Sequence, residues 1–223
     1  MFFVDRRKME MVTPDRALPG RAAPLPTAET HFLSGIPLKS PVPEGMQEAM
    51  FGMGCFWGVE RKFYNLRGVW LTMTGYAAGF TPNPTYPETC TQMTGHNEVV
   101  RVIYDPAVIS YEALLKIFWE GHDPTQGMRQ GNDVGSQYRS AVFPQDAHQE
   151  DMARSYIWEL GDAGIFLAPI ATTIEPGQIF YPAEPYHFDY AARNPDQPYI
   201  RGVSAPKAGK LRQYFPHLQK PAD

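Results

Sequence analysis

The chain has 223 residues, enough for one sizeable core and short for two, and its 43% apolar and 20% charged composition is that of a folded domain rather than a disordered one. A net charge of −4, spread without long runs of either sign, excludes the cationic stripe a nucleic-acid binder needs and leaves small molecules or peptides as expected ligands. No stretch approaches the roughly 18 apolar residues of a membrane span, and Asp5, Arg6, Arg7 and Lys8 interrupt the apolar start where a secretory leader would run on, so a cytoplasmic protein is expected.

Residues 1–46 carry Pro14, Pro19, Pro24, Pro26, Pro37, Pro41 and Pro43 without a sustained period, and read as an extended arm packing on the domain. A strand is expected over 48–53, followed by a helix carrying Trp57, Phe63, Tyr64 and Leu66, with Cys55 at the junction. Residues 69–77 read as a strand, 79–87 as a turn-rich loop, and 97–104 as a strand with Glu98, Val100, Val102 and Tyr104 on one face. Ser110 is a candidate N-cap for a helix in which Tyr111, Leu114, Leu115 and Phe118 recur at helical spacing, closed by Gly121. Residues 122–135 are polar and glycine-bearing, as a functional loop would be. A strand over 137–143, a helix over 144–160 and a last strand over 165–175 follow, after which the signal weakens. Interleaved strands and helices without a repeat imply an α+β fold, a single two-layer sandwich rather than a doubly wound sheet. The catalytic domain is expected over 47–200, with 201–223 as a C-terminal tail without cysteine.

Two cysteines, Cys55 and Cys90, are too few for a disulfide scaffold, and a reducing compartment keeps both as thiols. At a strand-to-helix turn, the unpaired N–H groups and dipole of the helix N-terminus favour the thiolate of Cys55, and Gly52, Gly54 and Gly58 would let the backbone turn tightly. Cys55 could equally be a small core residue beside two aromatics, and the turn alone does not decide. The glycines around it do not make a dinucleotide fingerprint, because the third comes one position late and no acidic residue lies near Thr74. His96-Asn97-Glu98 contains the H-x-E element of zinc deaminases without the C-x-x-C partner, so no metal site is expected.

Gly54-Cys55-Phe56-Trp57-Gly58, Gly95-His96-x-Glu98 and Gly131-Asn132-Asp133-x-Gly135-Ser136-Gln137-Tyr138-Arg139-Ser140 together resemble peptide methionine sulfoxide reductase A. The likeness runs from the proline-rich arm through Asn194 and includes Asn83-Pro84-Thr85-Tyr86 and Phe180-Tyr181-Pro182-Ala183-Glu184. The resemblance implies an α+β sandwich related to the ferredoxin-like type, an enzyme that reduces methionine-(S)-sulfoxide in peptides and proteins, and no bound cofactor. By matching position, Cys55 attacks the sulfoxide sulfur, Glu98 donates a proton to the departing oxygen, and Tyr86 and Tyr138 hydrogen-bond that oxygen. Phe56 and Trp57 form an apolar socket for the S-methyl group, Asp133 orients neighbouring groups, and His187 supports the site wall. Expelling oxygen from sulfur requires neutralising the charge that builds on it, which a protonated carboxylic acid and phenols in a dry pocket can do.

Attack leaves a sulfenic acid on Cys55 that must be reduced. Many family members use a cysteine near the C-terminus, but here Ile200 stands at that place and no cysteine follows. Cys90 is read as a buried structural residue, and thioredoxin or glutathione with glutaredoxin is the expected reductant of a monomeric enzyme. A thiol peroxidase, a cysteine hydrolase and a non-catalytic binder of oxidised methionine are the competing readings; a hydrolase would want a histidine beside its thiol.

Overall fold

The computed structural model describes residues 9–221. Residues 1–8, which carry most of the reading that no secretory leader is present, lie outside the described residues. In chain order the elements are β1 (Gln47–Met53), α1 (Phe56–Phe63), β2 (Val69–Ala77), α2 (Tyr86–Cys90), β3 (Asn97–Tyr104) and α3 (Tyr111–Gly121). A small ribbon of β4 (Arg129–Gln130) and β5 (Asp133–Val134) follows, then β6 (Ser140–Val142), α4 (Ala147–Asp162), β7 (Thr173–Ile174), β8 (Tyr181–Pro182), α5 (Tyr190–Arg193) and α6 (Ala205–Tyr214).

The main sheet has the order β7-β6-β1-β3-β2-β8 and is antiparallel except where β7 runs parallel to β6. Its centre, β6-β1-β3-β2 with α1 after β1 and α3 after β3, is the split βαβ arrangement of ferredoxin-like sandwiches. The α+β class expected from the interleaved pattern is therefore the fold observed. Period-two alternation in β1 sends Ala49, Phe51 and Met53 to the main core and Met50 to the opposite face, where Val99, Ala141 and Phe143 meet it. The fully buried Phe51 ring stacks on Phe63 of α1 at 5.3 Å and tilts against Phe118 of α3 at 5.6 Å, pinning both helices to the sheet. Its truncation to alanine would cost about 3–5 kcal/mol. In β3, Val100, Val102 and Tyr104 join the same core, and the shared parity carries Glu98 to the helix side, beneath the start of α1.

Several expectations change. Residues 137–143 do not form one strand: a 3-10 turn over Ser136–Tyr138 precedes the short β6. Of 165–175 only Thr173 and Ile174 pair, because Gly164 is left-handed, Pro169 lacks an N–H, and β6 offers a partner only at Ala141 and Val142. The helix read from Pro144 starts at Ala147, where Asp146 accepts a hydrogen bond from Gln149 N at 2.8 Å and caps it. Loop 79–87 ends in a helix: Thr85 and Glu88 make a capping box that starts α2 at Tyr86. Residues 201–219 are not an appended tail, since α6 packs on α1 and α3 with Ala208 and Leu211 buried.

The residues before β1 lie across the sheet and its loops. Leu18 N donates to Met93 O at 2.9 Å, Arg21 pairs with Glu88 of α2 at 2.6 Å, Thr27 donates to Ala183 O at 3.1 Å, and Leu38 is buried.

Candidate active site

Gly54 has φ +89°, and a side chain there would collide with Gln130, whose Cβ lies 2.7 Å from where a β-carbon would stand. Glycine thus permits the turn that makes Cys55 the N-cap of α1. Gly52 is needed for a different reason, because the Asn97 side chain fills the space of its missing Cβ. Gly58 lies within α1, where its N–H donates to Cys55 O at 3.1 Å without a left-handed backbone.

Glu98 is 1% exposed, and its Oε2 accepts a 3.0 Å hydrogen bond from the backbone N–H of Phe56, the residue after Cys55. Burial raises its pKa from 4.5 to about 8, with the nearby Asp133 charge adding and the Phe56 N–H opposing. The carboxyl is accordingly protonated at neutral pH. Cys55 is half-buried. The expectation of a thiolate does not hold at rest: burial first, then Glu98 and Asp133, push the thiol up, outweighing the Trp57 N–H and the Tyr199 hydroxyl that favour the anion.

Tyr86 opens α2, where its backbone N–H donates to Glu184 Oε1 at 2.7 Å; Glu184 Oε2 accepts from Tyr76 at 3.0 Å. Tyr138 closes the 3-10 turn after Gly135. Burial, then Glu98, raises both phenols, so both are neutral hydrogen-bond donors, and both lie near Cys55. Arg139 fixes this geometry by donating to Gly95 O at 3.2 Å and Ser136 O at 3.0 Å, which joins the approach to Glu98 to the turn carrying Tyr138. Asp133, on β5, accepts from the Tyr199 hydroxyl at 3.1 Å, in the neighbourhood of the Cys55 thiol.

The aromatic wall is assembled from distant segments. Phe56 is buried against Tyr76 and His187, at 5.8 and 4.9 Å between centroids. Trp57 donates through Nε1 to His187 Nδ1 at 2.9 Å and stacks face to face on Tyr190 at 3.8 Å, with Tyr199 edge-on at 6.3 Å. His187 is held neutral by burial, its pKa lowered to about 4, and its Nδ1 is occupied by Trp57 rather than free to serve as a base. The eight residues marked in the sequence, Cys55, Phe56, Trp57, Tyr86, Glu98, Asp133, Tyr138 and His187, thus gather in one site around the thiol. Tyr190, Tyr199, Glu184 and Arg139 join them without a role expected from sequence, since residues far along the chain declare proximity only through the fold.

Cys90 departs from its expected burial: it is exposed at the end of α2, with the Tyr86 hydroxyl beside its thiol, and both cysteines are free. Among the described residues His31, Glu60 and Asp189 bring three potential ligand atoms within 4.8 Å of one another. His31 Nδ1 accepts from Ser34 N at 3.2 Å, which puts the ring proton on Nε2, the atom facing the carboxylates, and a protonated nitrogen binds no metal. The H-x-E histidine, His96, is taken up by Gly79 N and Thr81 O. No helix among the described residues is long and apolar enough to cross a membrane.

The family model described as peptide methionine sulfoxide reductase matches residues 47–219. The chain is 57% identical over 198 residues to the peptide methionine sulfoxide reductase MsrA of Methylobacterium nodulans, covering 87% of this chain and 89% of the relative. It is 55% identical to MsrA 1 of Synechocystis, over 85% of this chain and 86% of that one. Among solved structures it resembles methionine sulfoxide reductase A of Corynebacterium diphtheriae, with a TM-score of 0.75 and 40% identity over 83% of this chain and 92% of the other. The family model over residues 47–219, with relatives more than half identical over most of the chain and a fold shared with a solved member, shows that the chain belongs to the peptide methionine sulfoxide reductase family, enzymes that reduce methionine sulfoxide.

Proposed function

We propose that Cys55 is the nucleophile and Glu98 the proton donor in this reduction. The observation that carries the reading is the hydrogen bond from Phe56 N–H to a buried, protonated Glu98, which puts an acid against the residue next to the thiol. Cys55 sulfur bonds to the sulfoxide sulfur while the sulfoxide oxygen takes the Glu98 proton, and the thiol proton passes to the carboxylate so formed, returning Glu98 to its acid form. Oxygen then passes to the cysteine sulfur, releasing the thioether and leaving a sulfenic acid: the thiol is oxidised by two electrons and the sulfoxide reduced by two. Tyr86 and Tyr138 donate hydrogen bonds to the oxygen while charge builds on it, and Asp133 orients the Tyr199 hydroxyl near the thiol. Phe56 and Trp57 receive the S-methyl group, which selects the S epimer in free or protein-bound methionine sulfoxide.

The sulfenic acid is then reduced by an outside thiol system, thioredoxin or glutathione with glutaredoxin. In support, Ile200 is fully buried and begins a π-helical turn that runs into α6, so the C-terminal segment is a packed helix without a thiol. A cytoplasmic monomer fits this supply of reductant. Turnover of the two sulfoxide epimers, with dithiothreitol, thioredoxin and glutaredoxin supplied separately, tests the reading. Consumption of the S epimer alone is expected, and equal consumption of both overturns the assigned socket.

A further inference from the structure

The catalytic scheme does not use the buried His31, Glu60 and Asp189 cluster. Its hydrogen bonds form a closed ring through four parts of the chain. His31, in the segment before β1, points its Nε2–H at Thr72 Oγ1 of β2 at 3.1 Å, and Thr72 donates to Glu60 Oε1 of α1 at 3.3 Å. Glu60 Oε2 accepts from Asp189 N at 2.8 Å, and Asp189 Oδ2 accepts from Phe32 N at 2.8 Å, one residue beyond His31. The other carboxylate oxygen, Oδ1, lies 3.1 Å from His31 Nε2 without a well-directed hydrogen bond of its own.

Asp189 also occupies a backbone state that resists chance. It is fully buried and left-handed, with φ 53° and ψ 28°, a conformation uncommon outside glycine, asparagine and aspartate. The residues on either side of it hold the substrate wall: His187, two before, accepts from the Trp57 indole, and Tyr190, one after, stacks on that indole. Glu60 stands three residues beyond Trp57 on α1, so the ring is anchored to the same helix that carries the indole. Arg193 of α5 lies over the Phe32 ring at 4.8 Å, a second tie between the arm and this turn.

We infer that Asp189 is a positioning residue for the substrate pocket: bound through Glu60 and the arm residues His31 and Phe32, it sets the turn whose two flanking rings clamp Trp57. The inference rests on the proposed role of Trp57 in receiving the S-methyl group. The N-terminal arm, remote from the reacting atoms, thereby contributes to substrate binding.

The test compares Asp189→Ala, Asp189→Asn, His31→Ala and the His31→Ala/Asp189→Ala pair in the full chain. Rates are followed with a methionine-sulfoxide peptide and dithiothreitol, and the Trp57 indole N–H by nuclear magnetic resonance, assigned with Trp57→Phe. Asp189→Ala is expected to raise KM about tenfold with kcat within about threefold, and to shift the Trp57 indole resonance. Asparagine tolerates the left-handed state and can still accept from Phe32 N–H, so Asp189→Asn should restore most of both readouts. His31→Ala should repeat the KM effect, and the pair should be less than additive. An indole resonance unmoved in Asp189→Ala and in His31→Ala overturns the inference. The milder His31→Ala and Asp189→Asn keep it testable should Asp189→Ala fail to fold. The resonance does not depend on turnover, so failure of the proposed catalytic scheme and failure of this positioning role give different patterns.

Discussion

The backbone N–H of Phe56 donates a 3.0 Å hydrogen bond to Oε2 of Glu98, forty-two residues away in sequence. One contact thus fixes the acid, the start of α1 and the residue following Cys55 in a single unit. It also explains how a carboxyl can be buried at 1% exposure without an ion pair: protonation and one directed N–H replace the water it lost.

Glu98→Gln should slow the reductive step by a factor on the order of 10² to 10⁴, because the amide keeps an acceptor for Phe56 N–H but has no acidic proton to give. In the unaltered enzyme the single-turnover rate should fall as pH rises through about 8, where Glu98 loses its proton. The fall should be absent in Glu98→Gln. Stopped-flow rates with one equivalent of sulfoxide across pH 6 to 10 check both, and a negligible effect of the substitution moves the acid role elsewhere.

The same raised pKa makes a stability prediction. Below the ordinary value of 4.5 Glu98 is protonated whether the chain is folded or not, and it imposes no penalty. Between 4.5 and about 8 the unfolded chain releases the proton that the folded chain keeps, so folding loses stability as pH rises, and the loss levels off above about 8. Glu98→Gln should therefore raise Tm at pH 8 and leave it nearly unchanged at pH 4, as thermal unfolding followed by circular dichroism would register.

Tyr86→Phe and Tyr138→Phe each remove one neutral donor that burial has kept protonated. Each should lower the single-turnover rate by roughly 10² with the fold intact, as for other donors to developing oxyanions. Rates unchanged in both variants would leave the sulfoxide oxygen without the phenolic partners assigned to it.

The central sheet is legible in the sequence because its strands are long and strongly patterned: 69–77 and 97–104 coincide with β2 and β3, and Ser110 caps α3 as its spacing implies. The short edge strands are not, since β7 and β8 pair over only two residues and carry no period of their own. Helix α6 escapes for a related reason: with Leu211 its one large aliphatic residue, it buries only Ala208 and Leu211. The capping box at Thr85 and Glu88 is a signal present in the sequence but masked by the surrounding prolines. Within the site, the motifs mark Cys55, Phe56, Trp57, Tyr86, Glu98, Asp133 and Tyr138 but give no part to Arg139 and Glu184, which stand in the same motifs. They reveal neither the thiol's ionisation, which depends on burial in three dimensions, nor the clamp on Trp57 by His187 and Tyr190, more than a hundred residues away. The exposure of Cys90 is equally hidden, because a cysteine ending a one-turn helix carries no mark of which side faces solvent.

That Cys55 takes the oxygen and an outside thiol removes it is tested most directly by mass spectrometry of the protein after one equivalent of methionine-(S)-sulfoxide. The reaction is run without added reductant and with a sulfenic-acid trap, alongside Cys55→Ser. One methionine released per chain, the trap on Cys55 with Cys90 unmodified, and no methionine from Cys55→Ser are the predicted results. Methionine formation by Cys55→Ser would contradict the nucleophile, and a Cys55–Cys90 disulfide in place of the trapped acid would contradict the one-cysteine cycle.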